Sequence, residues 1–274
     1  MEAVLGPDRR GIVLLEDAVP PALLDAGMPA ITMIEAGLDL PASQSPGDRG
    51  TSAGYVAEAL RRWVLVRDGE EWVAGSPGGE VEHVDPAALA ADSSPPPPRV
   101  AVFGGAWIEE HEPEYEEIRR LGRWLAERGA HVVCGGYQGA MAAACRGVSE
   151  GGGVAVGVTI SEWEDVVSVN EWLTHELIAR DLFARLPVIT DADAWVAFPG
   201  GVGTLHEVAL CWNLVQTELA RPRPLLLVGE AWHRQLRLFR ELLRVSDPAH
   251  FDLVRPVASY DDLVESLAPA VKGS

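Results

Sequence analysis

From residue 99 onward, apolar runs alternate with amphipathic stretches along the chain. An apolar run with few charges is typical of a strand that is buried on both faces of a sheet. Stretches with apolar residues at helical spacing separate the runs, and one of them, 112–129, begins with acidic residues and ends with arginine and Gly129. The predicted strands are 99–105, 131–136, 154–160, 194–198, 223–229 and 253–260.

This alternation predicts an α/β fold with a doubly wound, Rossmann-like parallel sheet. Helices cover both faces of such a sheet, and ligands bind outside the carboxyl ends of its strands. Between the third and fourth strands, the stretch 169–186 has apolar residues at helical spacing, and we predict a helix there.

The segment Ser93 to Pro98, which ends in four consecutive prolines, precedes the regular pattern. Consecutive prolines favour extended backbone and cannot continue a helix. We therefore predict a Pro-rich linker at 93–98 between a small N-terminal α/β or α+β module, residues 1–92, and the Rossmann-like domain, residues 99–274. Within the module the predicted elements are strands at 11–16 and 29–35, a helix at 52–60, a hairpin over 62–75 and one or two helical turns at 85–92.

Composition and charge narrow the class of protein. Hydrophobic residues make up 47% of the 274 residues, which is enough for a sizeable core. The formal net charge of −19 argues against a nucleic-acid partner, because that binding depends on Lys and Arg neutralising phosphates. No apolar run approaches the roughly 20 residues of a membrane span, and the N-terminus has no signal-peptide pattern. We therefore expect a cytoplasmic protein without a membrane partner.

The three cysteines, Cys134, Cys145 and Cys211, are widely spaced in apolar sequence. They form no Cys-x-x-Cys pair, and His175-Glu176 lacks the second histidine of a zinc-peptidase motif. We therefore expect buried, reduced thiols, no metal site and no cofactor.

Paired glycines end three of the predicted strands. Glycine admits positive φ and lets a ligand approach the backbone closely. For any single pair, the structural alternative is a tight turn from strand to helix. Because all three pairs lie at carboxyl ends, together they favour a ligand site at that edge of the sheet. The pairs are Gly104-Gly105, Gly135-Gly136 and Gly200-Gly201.

The third pair opens the stretch Pro-Gly-Gly-Val-Gly-Thr-Leu-His-Glu, 199–207, at the predicted start of a helix. Free N–H groups and the helix dipole make such a start a cradle for phosphate. We predict that Thr204 caps this helix and also donates to the phosphate, and that Glu207 faces the same crevice one turn deeper. A capping-box pairing of Glu207 with Thr204 is the alternative. The predicted phosphate-binding residues are Gly200, Gly201, Val202, Gly203 and Thr204.

The stretch 199–207 resembles the PGGxGTxxE motif of the LOG family, whose members are known as nucleoside 5′-monophosphate phosphoribohydrolases. The resemblance covers about residues 99–268 and includes the glycine-rich segment 135–158. It implies an N-glycosidase, a hydrolase that splits a nucleotide into free base and ribose 5-phosphate. It also implies a homodimer formed through the helix that follows Thr204.

The same resemblance assigns the catalytic residues. It implies that Glu207 stabilises an oxocarbenium-like transition state and activates the attacking water. It also implies an arginine on the preceding helix, which we assign to Arg185, with Arg180 as its rival. On one helix these two arginines would lie roughly 140° apart. A surface pair of Arg185 with Asp181 is the structural alternative.

The base and the ribose are expected to lie near the first two glycine turns and near the start of the helix that the motif 199–207 opens. Here the chain departs from the family, with His206 in place of an acid and Tyr137-Gln138 inside the second turn, where both are expected to reach toward the base. Core packing is the alternative for Met141, and a structural role is the alternative for His206. The predicted base- and ribose-binding residues are Gly104, Gly105, Gly135, Gly136, Tyr137, Gln138, Met141 and His206.

A non-catalytic protein that binds or carries a nucleotide or molybdenum cofactor is the alternative function, because the phosphate cradle alone would serve it. A lysine-decarboxylase-like activity is disfavoured. Lys272, in the tail, is the only lysine, so no internal lysine is available for a pyridoxal phosphate Schiff base.

Overall fold

A computed structural model of the chain describes residues 12–14, 30–32, 38–39, 49–60, 63–68, 71–76, 78–84, 96–163 and 166–272. Its strands are β1 (Ile12–Leu14), β2 (Ala30–Thr32), β3 (Leu38–Asp39), β4 (Trp63–Asp68), β5 (Glu71–Gly75), β6 (Val81–Val84), β7 (Arg99–Phe103), β8 (His131–Cys134), β9 (Ala155–Ile160), β10 (His175–Ala179), β11 (Ala194–Ala197), β12 (Leu225–Val228) and β13 (Arg255–Val257). Its α-helices are α1 (Arg49–Leu60), α2 (Pro113–Ala126), α3 (Ala140–Glu150), α4 (Leu182–Ile189), α5 (Val202–Gln216), α6 (Glu230–Leu242) and α7 (Tyr260–Val271).

One eight-stranded sheet, in the order β13-β12-β11-β7-β8-β9-β10-β3, forms the centre of the molecule. The seven strands from β13 to β10 pair in parallel, and β3 pairs antiparallel with β10 at one edge. From β7 the chain proceeds outward to β10, returns to β11, and then proceeds outward on the other side to β13. The predicted doubly wound parallel sheet is confirmed, and its order reverses between β7 and β11.

Two hydrophobic clusters cover the two faces of this sheet. The first contains residues of α1, α4, α5 and α6, and the second contains residues of α2, α3 and α7. Successive strand residues alternate between them, so that Ala101 and Phe103 belong to the first cluster and Val100 and Val102 to the second. Burial on both faces explains why these strands are continuous apolar runs in the sequence.

The predicted helix over 169–186 is wrong. Residues His175–Ala179 form β10, which pairs in parallel with β9. Alternate residues of β10 are buried, as expected for a strand at the margin of a sheet. Asp181 then accepts a hydrogen bond from Ala184 N and starts α4 at Leu182. Pairing along the sheet therefore outweighs the helical spacing of this stretch.

Five of the six described strands of the N-terminal module, all except β3, form a second sheet in the order β2-β1-β4-β5-β6. Strands β2, β1 and β4 are parallel, whereas β4, β5 and β6 are antiparallel. The strands predicted at 11–16 and 29–35 correspond to β1 and β2, the helix at 52–60 to α1, and the hairpin to β4 and β5. Strands β3 and β6 were not predicted, and the helical turns expected at 85–92 lie outside the described residues. The division into two domains and a linker stays a prediction.

Helix α1 joins this module to the edge of the large sheet. The Tyr55 hydroxyl accepts a hydrogen bond from the Glu176 backbone N–H at 2.6 Å. Glu58 Oε2 lies 3.1 Å from His175 Nε2. Buried apolar residues of α1 also belong to the first hydrophobic cluster, so the module and the large sheet share one core.

Candidate functional site at the switch point of the sheet

The glycine turns that follow β7 and β11 meet where the strand order reverses. The Gly105 N–H donates to the Pro199 carbonyl at 3.0 Å and links the two turns. A reversal of this kind opens a crevice, because the connections on its two sides lead to opposite faces of the sheet. The first and third glycine pairs therefore lie together at the position where doubly wound folds bind ligands.

Helix α5 begins at the edge of this crevice. Gly201 is its N-cap, and no side chain caps it. The first N–H groups of the helix, on Val202, Gly203 and Thr204, therefore have no intrahelical acceptor and suit an anion. The prediction that Thr204 caps the helix is wrong, because it is the third helical residue. It is buried against Gly200, where any side chain would collide with it.

Glu207 lies about one turn further along α5 and faces Arg185 of α4. Arg185 Nη1 is 3.9 Å from Glu207 Oε1, and the two side chains are 8% and 12% exposed. Burial raises the pKa of Glu207 to about 7, against the lowering effect of the Arg185 charge. Arg185 Nε donates to the Val158 carbonyl at 2.7 Å, which fixes the guanidinium. A carboxyl with this pKa can accept and release a proton at neutral pH.

The structure distinguishes between the alternatives for these residues. The capping box does not form, since Gly201 is the N-cap of α5 and Glu207 faces Arg185. Asp181 caps α4 and lies 3.2 Å from Arg180 instead of pairing with Arg185. Arg180 follows β10 outside any helix and has a 65% exposed side chain. The expected 140° separation on one helix is therefore wrong, and Arg185 is the arginine beside Glu207.

The second glycine turn makes room for this arginine. A side chain at Gly135 would collide with Nη2 of Arg185 and would begin 2.8 Å from Sδ of Met141. At the next position, Gly136 donates its N–H to Cys134 Sγ at 3.3 Å. Glycine at this turn thus admits the guanidinium into the crevice, a role that the sequence analysis did not foresee.

The polar groups of Tyr137 and Gln138 form hydrogen bonds within the protein. The Tyr137 hydroxyl accepts a hydrogen bond from the Ile160 N–H at 3.0 Å, while its ring centre lies 5.8 Å from Arg185 Cζ. Gln138 Nε2 donates to both carbonyls of residues 168–169. The Tyr137 hydroxyl and the Gln138 amide nitrogen are therefore used in the fold, and the contact of these two side chains with a base stays a prediction.

The remaining predicted base- and ribose-binding residues differ in their surroundings. Gly104 is closely packed, because a side chain there would press on Ala140 and Phe198. Met141 is buried. His206 is exposed on α5, and its contact with a ligand stays a prediction.

Trp107, which the sequence analysis did not single out, lies over the crevice. A methyl group built on Gly105 would lie 2.8 Å from Trp107 Cζ2, and one built on Gly201 would lie 3.4 Å from Cζ3. The indole is thus close to both glycine turns while the residue remains 63% exposed. A tryptophan two residues after a glycine pair at a strand end was the signal that could have identified it.

Beside Trp107 a cavity of about 540 Å³ opens between the start of α2 and the start of α3. Its lining combines aromatic, amide and carboxylate side chains. These include Trp107, Tyr115 and Trp172, the amides Gln138 and Asn170, and the carboxylates Glu109, Glu110 and Glu171.

The described residues contain no group of three or more His, Cys, Asp or Glu side chains arranged to hold a metal ion. None of their helices combines the length and the apolar character that crossing a membrane requires. The three cysteines are buried and free, as predicted.

Fold and crevice together define a Rossmann-like α/β protein that has an uncapped helix start and a buried Glu–Arg contact at its switch point. Comparison with known families is consistent with this class. Residues 97–217 match the sequence model of the SLOG cluster4 family. The resemblance to the LOG family, predicted from residues 199–207, is thereby confirmed.

Curated proteins also resemble this chain, over part of their length. A cytokinin riboside 5′-monophosphate phosphoribohydrolase of Rhodococcoides fascians is 28% identical over 130 residues, which are 46% of this chain and 66% of that protein. A protein of the same name from Arabidopsis thaliana is 28% identical over 60% of this chain and 82% of its own. A probable one from Oryza sativa subsp. japonica is 33% identical over 40% of this chain and 46% of its own.

Two solved structures share the fold. The molybdenum cofactor binding protein of Rippkaea orientalis is 21% identical with a TM-score of 0.51, over 64% of this chain and 98% of that one. The molybdenum cofactor carrier protein of Chlamydomonas reinhardtii is 22% identical with a TM-score of 0.50, over 65% and 99% of the two chains.

Proposed function

We propose that this protein hydrolyses the N-glycosidic bond of a nucleoside 5′-monophosphate and releases free base and ribose 5-phosphate. The observation that carries the proposal is the buried contact of Glu207 with Arg185, 3.9 Å apart, about one turn beyond the start of α5. Relatives named for this activity support it.

In this proposal the 5′-phosphate lies on the N-terminus of α5. The N–H groups of Val202, Gly203 and Thr204 donate to its oxygens, and the helix dipole adds favourable potential. These contacts are local, so the net charge of −19 does not oppose them. One helical turn is about 5.4 Å long, and Glu207 therefore lies at a depth comparable with the span from the phosphate to C1′ of the ribose.

Glu207 acts in its ionised form. A water oxygen attacks C1′ while the bond from C1′ to the base nitrogen breaks, and the water proton passes to the carboxylate. The electron pair of the broken bond leaves with the base, which takes up a proton from solvent. Glu207 then releases the water proton to solvent and returns to its ionised form. The carboxylate also stabilises the positive charge that develops on the ribose in the transition state. Arg185 holds Glu207 in place and counteracts the rise in its pKa.

We also propose a homodimer formed through α5 and its surroundings. Apolar side chains at the start of this helix are exposed, with Val202 at 84% and Leu205 at 37%, and Phe183 of α4 is 81% exposed. A second copy of the chain packed there would remove this apolar surface from water.

A panel of nucleoside 5′-monophosphates tests the proposed activity. Incubation with the purified protein is expected to release free base and ribose 5-phosphate in equal amounts from at least one of them, measured by chromatography. The matched nucleosides, which lack the phosphate, are expected to remain intact. Binding of a nucleotide without release of base from any of them would contradict hydrolysis and favour a non-catalytic binding or carrier role.

A further inference from the structure

Trp107 lies between the start of α5 and the cavity beside the crevice. Its indole lies beside Gly201, the N-cap of α5, and beside Gly105 at the end of β7. The same side chain forms a wall of the 540 Å³ cavity next to the crevice. A ligand anchored on the start of α5 and extending toward this cavity therefore passes along the indole ring.

Charge differs between the two ends of this path. The start of α5 offers N–H donors and the positive end of a helix dipole. The cavity is lined by Glu109, Glu110 and Glu171. Glu110 lies 2.9 Å from Arg146, and Glu109 lies 3.3 Å from His111. Carboxylates accept hydrogen bonds and repel anions. An anionic group therefore belongs at α5, and a hydrogen-bond donor belongs in the cavity.

The aromatic content of the cavity suits a planar group. Trp172 and Tyr115 line it together with Trp107. A volume of about 540 Å³ lies within the usual range of sites for small organic ligands. Stacking on an aromatic ring accepts any base, since every base has a π-face, and hydrogen-bonding groups around the ring then select among the bases.

Building on the proposed function, we propose that Trp107 is the specificity-determining residue of this site. Its indole ring stacks on the base of the nucleotide while the phosphate lies on α5. The base carries an exocyclic amino group, which donates to the carboxylates of the cavity.

Binding of three ligands to one set of variants tests this inference. In a Glu207→Gln background, which prevents turnover, calorimetry measures affinity for AMP, for IMP and for ribose 5-phosphate. Trp107→Ala is expected to weaken AMP binding about tenfold or more, as loss of a base-stacking ring does, and to change ribose 5-phosphate binding less than about twofold. Trp107→Phe is expected to restore most of the AMP affinity. IMP, with an oxo group where AMP has an amino group, is expected to bind about fivefold or more weakly.

Trp124→Ala is the matched control. Trp124 lies in the last turn of α2, where Arg128 stacks on its ring at 4.1 Å, and it is absent from the cavity lining. Its loss is expected to leave all three affinities unchanged. Retained ribose 5-phosphate binding shows that the Trp107→Ala protein is folded at the site.

Stacking is overturned if Trp107→Ala binds AMP as before, or loses AMP and ribose 5-phosphate equally. AMP and IMP affinities that match would overturn the amino-group selection. Base release by the unmutated chain is measured separately. If AMP binding depends on Trp107 but the unmutated chain releases no base, hydrolysis alone is refuted. If the unmutated chain releases base and Trp107→Ala binds AMP normally, stacking alone is refuted.

Discussion

Burial and charge act in opposite directions on Glu207. Removal from water favours its protonated form and raises its pKa to about 7, while the nearby Arg185 favours the carboxylate. A pKa near neutrality divides the residue between both forms at the pH where the proposed hydrolysis would proceed.

Hydrolysis is expected to increase as pH rises through about 7, because the water-activating form of Glu207 is the ionised one. In Arg185→Gln the lowering effect of the guanidinium is lost, so the pKa of Glu207 and the midpoint of the profile move to higher pH. Measurement of kcat from pH 5 to 9 tests both expectations. A profile that falls through this window, or a midpoint that moves down in Arg185→Gln, contradicts them.

The contribution of Glu207 to stability is expected to decrease with rising pH, whereas hydrolysis is expected to increase. The folded-state pKa, about 7, exceeds the ordinary value of 4.5, so the folded protein holds the proton more tightly than the unfolded chain does. The contribution of Glu207 to the free energy of unfolding is therefore lost as pH rises from about 4.5 to 7.

Glu207→Gln is accordingly expected to raise the free energy of unfolding by about 1–2 kcal/mol at pH 8 and by little at pH 4. Denaturant unfolding at the two pH values measures this change. Glu241→Gln, at an exposed position of α6, is the control and is expected to change neither value. A lower stability of Glu207→Gln at pH 8 would show that the contact with Arg185 outweighs the cost of burial.

At the residue scale, the motif predicted that Glu207 faces the crevice, and the family resemblance predicted Arg185 near it. The two side chains lie 3.9 Å apart, and their catalytic roles stay predictions. The sequence could not show that Gly135 leaves space for the guanidinium, because that contact joins residues 50 positions apart. Trp107 follows the first glycine pair closely in the sequence, but its position beside Gly201 arises only on folding.

At the element scale, the site depends on the close approach of the glycine turns to the start of α3. Gly139, the N-cap of α3, has φ of +69°. A side chain there would meet the Gly105 carbonyl and would begin 2.6 Å from the Ala106 carbonyl carbon. The N–H of Ala140 donates to the Gly105 carbonyl at 3.0 Å, so the helix and the first turn hold each other in place.

Gly139→Ala is expected to lower the free energy of unfolding by about 2–5 kcal/mol, because a strained φ is combined with a backbone collision. Gly152→Ala separates the two effects. Its φ is +68° with open space around the added methyl group, so a loss of only about 1–2 kcal/mol is expected. Equal losses in the two variants, measured by thermal or chemical unfolding, would refute the collision.

Periodicity predicted most of the elements of the large sheet, because strands buried on both faces are distinct from amphipathic helices. It failed over 169–186. There β10 lies next to the margin of the sheet with alternate residues buried, and its short apolar pattern fits either structure. The antiparallel partner of this strand, β3, is two residues long and comes from far along the chain. A local pattern cannot reveal such a pairing.

At the scale of the whole molecule, the N-terminal module protects one edge of the large sheet. Strand β3 pairs with β10 and α1 packs beside it, so the backbone of β10 is not left open along that side. The opposite side of the crevice, at the start of α5, carries the exposed Val202 and Leu205. Among the described residues, the module thus covers one edge of the sheet, and the proposed homodimer would cover the apolar side chains at the start of α5.

Leu205→Glu is expected to convert the proposed homodimer to a monomer, because a carboxylate would be buried without a partner at the interface. Sedimentation velocity at several protein concentrations measures the change. Leu238→Glu, at a 49% exposed position of α6, is the control and is expected to remain dimeric. A monomeric unmutated chain, or an unaffected Leu205→Glu dimer, contradicts an interface through α5.

The central claim is that Glu207 catalyses cleavage of a nucleotide that the glycine turns hold. Its most direct test compares the unmutated chain with Glu207→Gln for the nucleoside 5′-monophosphate that the panel identifies. Binding is measured by calorimetry and release of base by chromatography. The predicted result is similar affinity in both proteins, with base release reduced at least about a hundredfold in Glu207→Gln, as expected for loss of a general base. Base release by Glu207→Gln at the unmutated rate would contradict the claim.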